Sequence, residues 1–178
     1  MTLAILLALA MLLSLTIVIS DLYARRVPNA WLLATLLMGA TWLLLGWAQG
    51  SGEAPWPALL GLLIGLGALL PMYVFGWMGA GDVKFFATLG FLLGAKALLP
   101  IWIIGSLLCG VHAVIIVMSR APAIQALPGW TTVQWRVAGS SWGRRIAAAR
   151  GKRQGLPYAA YLAVGALLML CLPQLVQW

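Results

Sequence analysis

Residues 79–84 are Gly-Ala-Gly-Asp-Val-Lys, and they lie between two long apolar stretches of the chain. Their aspartate, Asp82, is one of only three acidic residues among 178, the others being Asp21 and Glu53. A carboxylate beside apolar sequence of membrane length is costly unless it reaches water, is paired or takes part in chemistry. The two glycines leave the backbone free for a positive φ angle and for close approach of another segment. Asp82 is therefore a candidate functional residue; the alternative is a turn in which it caps the next helix.

The composition is that of an integral membrane protein. Hydrophobic residues make up 63% of the chain and charged residues 8%, whereas soluble domains carry about 25% charged residues. Mean hydropathy is +1.02. The net charge of +8 does not indicate a nucleic-acid-binding protein, because the basic residues flank apolar stretches and form no separate basic domain. We expect a single membrane domain over residues 1–178, with no nucleic-acid partner.

Six apolar segments are candidates to cross the membrane, with predicted limits at about 1–20, 30–47, 57–77, 83–95, 98–118 and 156–176. No basic residue precedes the first segment, so we expect a retained span and not a signal peptide. The fourth segment is short for a hydrocarbon core of roughly 30 Å. Gly61 with Gly65, and Gly90 with Gly94, have the GxxxG spacing that allows close helix contact. The predicted fold class is therefore all-α, a bundle of about six transmembrane helices.

The basic residues are distributed unevenly between the connections of this six-span arrangement. Ten of the eleven lie on one side, namely Arg25, Arg26, Lys84 and seven in the loop at about 119–155, and only Lys96 lies on the other. The positive-inside rule then places these connections in the cytoplasm and the N-terminus outside. Tryptophans interleave with the basic residues of the long loop, which suits a segment on an anionic inner leaflet. The alternative for that loop is a topological anchor without a specific ligand.

The cysteines and the histidine suggest no other chemistry. Cys109 and Cys171 lie far apart in apolar segments, so they predict neither a disulfide nor a metal site, and no cofactor is expected. His112 has no second histidine and no acid near it in sequence. We predict a hydrogen-bonded structural histidine there, with a proton relay or a ligand as the alternative. Glu53 falls in a short outer turn at 49–56 and is predicted to be an exposed loop acid.

Asp21 and Asp82 are predicted to share one site. Two membrane crossings separate them, so both return to the same face, each near the cytoplasmic end of a helix. Peptide hydrolysis by paired carboxylates needs this arrangement, because an ionised aspartate takes a proton from water while a protonated one donates to the scissile carbonyl. Two close carboxylates cannot both ionise easily, so they share one proton. The two aspartates are therefore the predicted catalytic pair.

These residues also resemble a known family. Residues 21–29, Asp-Leu-Tyr-Ala-Arg-Arg-Val-Pro-Asn, resemble the first sequence signature of the type IV prepilin peptidases, an Asp followed by a basic pair and Ile/Val-Pro-Asn. Residues 79–84 resemble the Gly-x-Gly-Asp-x-Lys signature of that family. Pro157 and Tyr158, followed by Gly165, are similar to a third and looser pattern. The resemblance covers essentially the whole chain, with the signatures in the right order.

The resemblance implies a GxGD aspartyl protease of the inner membrane, which removes the short basic leader of prepilins or pseudopilins at the cytoplasmic face. It implies that Asp21 and Asp82 are the catalytic pair and that Gly79, Gly81 and Lys84 shape the catalytic turn. The expected partners are prepilin or pseudopilin substrates and membrane lipid. The remaining signature residues, to which we assign no chemical step, are Arg25, Arg26, Pro28, Asn29, Pro157 and Tyr158.

The chain departs from the family pattern at one point. Larger, bifunctional members have a cytosolic domain with paired Cys-x-x-Cys motifs that accompanies N-methylation, and this chain has no such cysteines. It resembles the short, peptidase-only form, so we expect cleavage without methyl transfer. The alternative function is a small multi-span transporter or a structural subunit of a membrane assembly, since intramembrane aspartates and GxxxG packing occur in these classes too. A transporter usually places its polar groups near the bilayer midplane, whereas here both aspartates lie at one face.

Overall fold

The computed structural model describes residues 2–50, 54–126, 139–151 and 155–172, with positions 129, 132 and 136 between them. Within these residues there are helices and no strands, which confirms the all-α fold class. The helices are α1 (Thr2–Ala24), α2 (Asn29–Ala48), α3 (Trp56–Val74), α4 (Ala80–Leu93), α5 (Ala95–Ser119), α6 (Pro122–Gln125), α7 (Ser141–Arg150) and α8 (Tyr158–Cys171).

Four of these helices, α1, α2, α3 and α5, are long and apolar enough to cross a membrane. Two shorter helices of 14 residues each, α4 and α8, complete the six predicted apolar elements. A full span takes about 20 residues, so neither crosses a standard bilayer as a straight helix by itself. The bundle therefore has the predicted number of apolar helices, but two of them are shorter than a span.

Two helix ends differ from their predicted positions. The first helix does not end at residue 20 but continues to Ala24, so Asp21 lies in its last turn and not in a loop. It ends where Arg25 adopts a φ angle of 49°. The third helix ends at Val74 instead of residue 77, because Gly76 adopts a φ angle of 73° and the N–H of Trp77 donates to the carbonyl of Met72 at 2.9 Å. This is the Schellman arrangement that commonly ends helices.

The short helix α4 lies at the centre of the bundle. Every residue from Phe85 to Leu93 is buried, and α4 contacts α1, α2, α3, α5 and α8. A helix that is apolar on all sides is stable only when other elements surround it. Gly94, with a φ angle of 81°, then joins α4 directly to α5. Because α4 is enclosed by protein, it does not need the length of a lipid-exposed span.

Glycines bring α3 and α4 into backbone contact, as the GxxxG spacing predicted. A Cβ atom built on Gly61 would lie 2.0 Å from the carbonyl oxygen of Gly90, and one on Gly90 would lie 2.1 Å from that of Gly61. Gly65 likewise faces the Cα atom of Ala87, at 2.9 Å from a hypothetical Cβ. The prediction is wrong for Gly94 alone, because Gly94 forms the turn between α4 and α5 and not a helix crossing.

The segment at 119–155 contains two helices, α6 and α7, within its described part. The predicted interleaving of tryptophans with basic residues depends on Trp130, Trp135, Lys152 and Arg153, which lie outside the described residues, as does Glu53. The predicted end of the sixth span at residue 176 also lies outside them.

Candidate active site

Asp21 is placed by the last turn of α1. Its side chain is 5% exposed, which makes it one of three buried polar side chains among the described residues, with Ser14 and Thr88. The turn that follows is fixed locally: the N–H of Arg25 donates to the carbonyl of Asp21 at 3.0 Å, and the hydroxyl of Ser20 donates to the carbonyl of Arg26 at 2.8 Å. The carboxylate is therefore held at a helix end, where α1 meets the connection to α2.

Asp82 is the third residue of α4, and its Oδ2 atom accepts a hydrogen bond from the N–H of Gly79 at 3.2 Å. Asp82 therefore does cap the start of α4, because it accepts a hydrogen bond from a free N–H there. It does so from the third helical position and not as the N-cap residue. Neither glycine uses its freedom to adopt a positive φ angle. Gly79 is extended, with φ −76° and ψ 146°, and Gly81 is part of the helix.

Close approach at Gly81 is confirmed. A Cβ atom on Gly81 would lie 3.0 Å from the Cβ of Val27, so a larger residue would push this connection away from α4. Lys84, three residues after Gly81, donates from Nζ to Oδ1 of Asn29 at 3.3 Å. Pro28 is the N-cap residue of α2, with φ −67°. The first and second sequence signatures are thus in direct contact, through Val27 with Gly81 and Asn29 with Lys84.

The beginning of α8 binds both carboxylates. The N–H of Ala160 donates to Oδ2 of Asp21 at 2.9 Å, and the N–H of Ala159 donates to the carboxylate of Asp82. The first N–H groups of a helix have no partner within it, and the helix dipole favours negative charge there. Pro157 is the buried N-cap residue, so it starts α8 at the point where these two donors reach the aspartates.

Tyr158 lies in the same turn. Its hydroxyl is within hydrogen-bonding distance of the Ser106 hydroxyl, at 3.0 Å, which ties the start of α8 to α5. The third and loosest signature, Pro157 and Tyr158, is therefore brought together with the other two by the fold. Its side chains frame the site, while the contacts to the aspartates come from the backbone of the two alanines that follow.

A cavity of about 450 Å³ contains the two aspartates, and residues from all three signatures line it. The signature residues that line it are Asp21, Arg25, Asn29, Gly79, Gly81, Asp82, Lys84 and Tyr158. Arg26 is exposed and does not line the cavity. A second cavity, of about 670 Å³, reaches Asp82 and Tyr158 from the side of α3 and α5.

The pKa of the Asp82 carboxyl differs from that of an exposed aspartate. Asp82 lies outside the four long apolar helices. Burial, followed by the negative charge of Asp21, raises the pKa of Asp82 from 3.8 to about 6, although the N–H groups of Gly79 and Ala159 act in the opposite direction. The other carboxylate of the pair, that of Asp21, interacts with the positive charges of Arg25 and Arg150. The two aspartates are thus electrostatically coupled and have unlike surroundings.

Three residues near the site carry no signal in the sequence. Ala159 and Ala160 contribute only backbone N–H groups, and alanine in an apolar segment predicts nothing about chemistry. Arg150, at the end of α7, donates from its guanidinium to the carbonyl of Leu22 at 2.7 Å, across 128 positions of the chain. Nothing in the local sequence distinguishes Arg150 from the other basic residues of its loop.

Of the remaining candidates, His112 agrees with a structural role, and Cys109 lines the cavity that reaches Asp82 from the side of α3 and α5. His112 makes a hydrogen bond through Nδ1 with the hydroxyl of Tyr161, which agrees with the predicted structural histidine. Cys109 and Cys171 are both free thiols. Within the described part of the chain, no three His, Cys, Asp or Glu side chains come together to hold a metal ion.

The family comparison covers the region that holds both aspartates. A model of the type IV leader peptidase family matches residues 6–114, which is more than half of the chain. The match confirms the family resemblance that residues 21–29 and 79–84 indicated, and it ends before α8. Searches against curated proteins and against solved structures gave no significant match.

Proposed function

Because the chain belongs to the type IV leader peptidase family, we propose that it is an aspartic endopeptidase that removes the leader of type IV prepilins or pseudopilins. The observation that carries this proposal is that the end of α1 and the start of α4 bring Asp21 and Asp82 to one cavity. Adjacent N–H groups at the start of α8 bind both carboxylates. The proposed substrate class rests on the family match, and the proposed chemistry rests on the two aspartates in one cavity.

We assign the proton of the pair to Asp82. The negative charge of Asp21 is one cause of the raised pKa of Asp82, whereas the positive charges of Arg25 and Arg150 act on Asp21, so we infer that Asp21 ionises first. Asp21 accepts the N–H of Ala160 on Oδ2, which leaves its Oδ1 atom to hold a water molecule. Asp21 is then the general base and Asp82 the general acid, as paired carboxylates require.

The reaction balances with these two groups alone. Asp21 takes one proton from the water as its oxygen bonds to the scissile carbonyl carbon, and Asp82 gives its proton to the carbonyl oxygen. The tetrahedral intermediate collapses when the C–N bond breaks: the proton on Asp21 passes to the leaving nitrogen, and the hydroxyl returns a proton to Asp82. Both carboxyl groups then regain their starting states.

The location of the reaction follows from the charge distribution of the chain. Both aspartates adjoin connections that contain Arg25, Arg26 and Lys84, and the positive-inside rule assigns such connections to the cytoplasm. We therefore propose cleavage at the cytoplasmic face of the inner membrane, where a basic leader remains when the apolar part of a prepilin is inserted.

Replacing each aspartate with asparagine tests the proposal. Asp21→Asn and Asp82→Asn keep size and polarity but remove the group that transfers a proton, so each should lower cleavage by about 100-fold or more. The double variant should be little worse, because members of one catalytic unit are strongly non-additive. Cleavage is measured by co-expression with the prepilins of the source organism, from the gel shift and N-terminal sequencing of the product.

Glu53→Gln is the matched control, since it removes the third acidic residue of the chain, which the sequence predicts to be an exposed loop acid, and it should cleave normally. Membrane insertion and protein level are followed in parallel. An Asp82→Asn variant that processes prepilin near the wild-type rate would end the proposal and favour the transporter alternative.

A further inference from the structure

A third cavity, lined by arginines, lies beside the cavity that contains the two aspartates. It has a volume of about 680 Å³ and shares Arg25 and Leu156 with its neighbour. Three arginines line it from separate parts of the chain: Arg25 follows α1, Arg120 follows α5, and Arg150 ends α7. None of the described residues that line this cavity is acidic. Three like charges around one space repel one another, which costs free energy unless an anion lies between them.

The negative charge of Asp21 acts on Arg25 and Arg150, but Asp21 lines the neighbouring cavity and not this one. Arg150 donates from one terminal nitrogen to the carbonyl of Leu22, at 2.7 Å, which ties α7 to the end of α1. The Nε atoms of Arg25 and Arg150 are both buried and have no hydrogen-bond partner among the described residues. An unpaired buried donor costs about 1–3 kcal/mol. Guanidinium groups match the oxygens of phosphate with paired hydrogen bonds, so a phosphate group fits this cavity.

The other walls indicate that the phosphate belongs to an amphipathic molecule. Ile116, Ala147 and Leu156 line the same cavity and are apolar. The adjoining surface of α5 exposes Val117 and Met118, at 69% and 57%. An occupant with its charged end at the arginines would therefore have apolar protein surface beside it, which matches a membrane phospholipid and not a soluble anion.

We propose that this cavity binds the phosphate headgroup of an anionic phospholipid of the inner leaflet. The lipid would bridge the end of α7 to α1 and α5, and it would support Leu156, two residues before the turn that binds both aspartates. A basic leader peptide is disfavoured there, because three arginines repel it. The binding part of this inference does not depend on the proposed protease activity.

Native mass spectrometry of the purified full chain tests the site directly. The protein in detergent is titrated with phosphatidylglycerol, and with zwitterionic phosphatidylcholine for comparison. We expect phosphatidylglycerol to be retained more strongly. Arg120→Gln should weaken its retention roughly tenfold, which corresponds to the loss of one charge-assisted hydrogen bond. Arg150→Gln should weaken it at least as much.

Arg145→Gln is the matched control. It removes the same charge from an exposed position of α7 that does not line the cavity, so it should leave retention unchanged if the site is specific. Equal losses for Arg145→Gln and Arg120→Gln would show only general attraction to anionic lipid and would overturn the proposal. Arg150→Gln also removes a contact to α1, so Arg120→Gln, whose side chain has no described hydrogen bond, is the deciding variant if α7 is perturbed.

Two further outcomes would assign the cavity to another ligand. Inorganic phosphate that displaces phosphatidylglycerol at millimolar concentration would indicate a site for free phosphate. If Arg120→Gln instead raises the KM for a substrate in lipid-free detergent and leaves lipid retention intact, the arginines bind an acidic part of the substrate. Either result would overturn the proposal of a lipid site, and neither would change the outcome of the Asp→Asn experiment.

Discussion

The two aspartates have similar contacts but different electrostatic surroundings. Each accepts a hydrogen bond from the start of α8. Asp21 lies in the field of Arg25 and Arg150, whereas Asp82 accepts a further bond from Gly79 and has the negative charge of Asp21 beside it. Unlike surroundings separate the titrations of paired carboxylates, and this separation is what allows one to act as acid and the other as base.

The raised pKa of Asp82 predicts a pH-dependent stability. The folded protein binds this proton more tightly than the unfolded chain, with a pKa of about 6 compared with 3.8. The resulting contribution to the free energy of unfolding is fully present below about pH 4 and is lost as the pH rises through about 6. We therefore expect the Tm of the wild-type protein in detergent to fall between about pH 4 and about pH 7.

Asp82→Asn should reduce that fall, because the amide does not titrate, while Glu53→Gln should show the wild-type profile. Tm is measured from intrinsic tryptophan fluorescence during heating. The same slope in wild type and Asp82→Asn would contradict the shift assigned to this carboxyl.

Among the helices, the crossing of α3 and α4 sets the position of the site. Asp82 lies in the first turn of α4, and the carbonyl groups at the crossing leave no space for a side chain at Gly61 or Gly90. Association of helices in a membrane depends on such close packing more than on apolar burial, since lipid is as apolar as the helix surface. The distance of Asp82 from α1 is therefore coupled to these glycines.

Gly90→Ala should destabilise the protein by about 1–3 kcal/mol, because the added methyl group overlaps the carbonyl of Gly61 and forces the helices apart. Cleavage should fall as well, since α4 carries Asp82. Gly67→Ala is the control on α3: nothing lies within 4 Å of a Cβ at that position, so it should match the wild type. Tm and prepilin cleavage are measured on both variants. If Gly90→Ala behaved like Gly67→Ala in these measurements, the inference would be refuted.

Over the whole molecule, the placement of both aspartates at one membrane face depends on the number of crossings. The described part of the chain has four helices of spanning length and two shorter apolar helices, and α4 is enclosed by its neighbours. The shared cavity agrees with the prediction that two membrane crossings separate the aspartates, because two crossings return the chain to the same face. Which face this is rests on the distribution of basic residues.

Cysteine labelling measures that orientation. In a background with Cys109 and Cys171 replaced by serine, Gln125→Cys should react only from the cytoplasmic side, because Gln125 is exposed at the end of α6. Ser51→Cys, in the connection between α2 and α3, should react only from the opposite side. Labelling of both positions from one side would break the six-span arrangement.

The sequence by itself determined the class of fold and the family, and it singled out Asp21 and Asp82 as the predicted catalytic pair. Hydropathy, the near absence of acidic residues and the glycine spacings are properties of single residues and their neighbours, and each has a direct physical consequence in a bilayer. The signatures that contain Asp21 and Asp82 are local for the same reason. The end of α3 could also have been predicted from the sequence, because a glycine near the end of an apolar stretch, here Gly76, is a recognised stop signal for helices.

Only the tertiary structure decided how the aspartates are held. The donors to them are the N–H groups of Ala159 and Ala160, and every residue except proline has such a group, so residue type gives no indication of which N–H will face a carboxylate. The extended backbone of Gly79 and the docking of Arg150 on α1 were likewise not predicted. Such contacts depend on where one helix begins relative to the end of another, and that position is fixed by packing across the whole bundle and not by any local pattern.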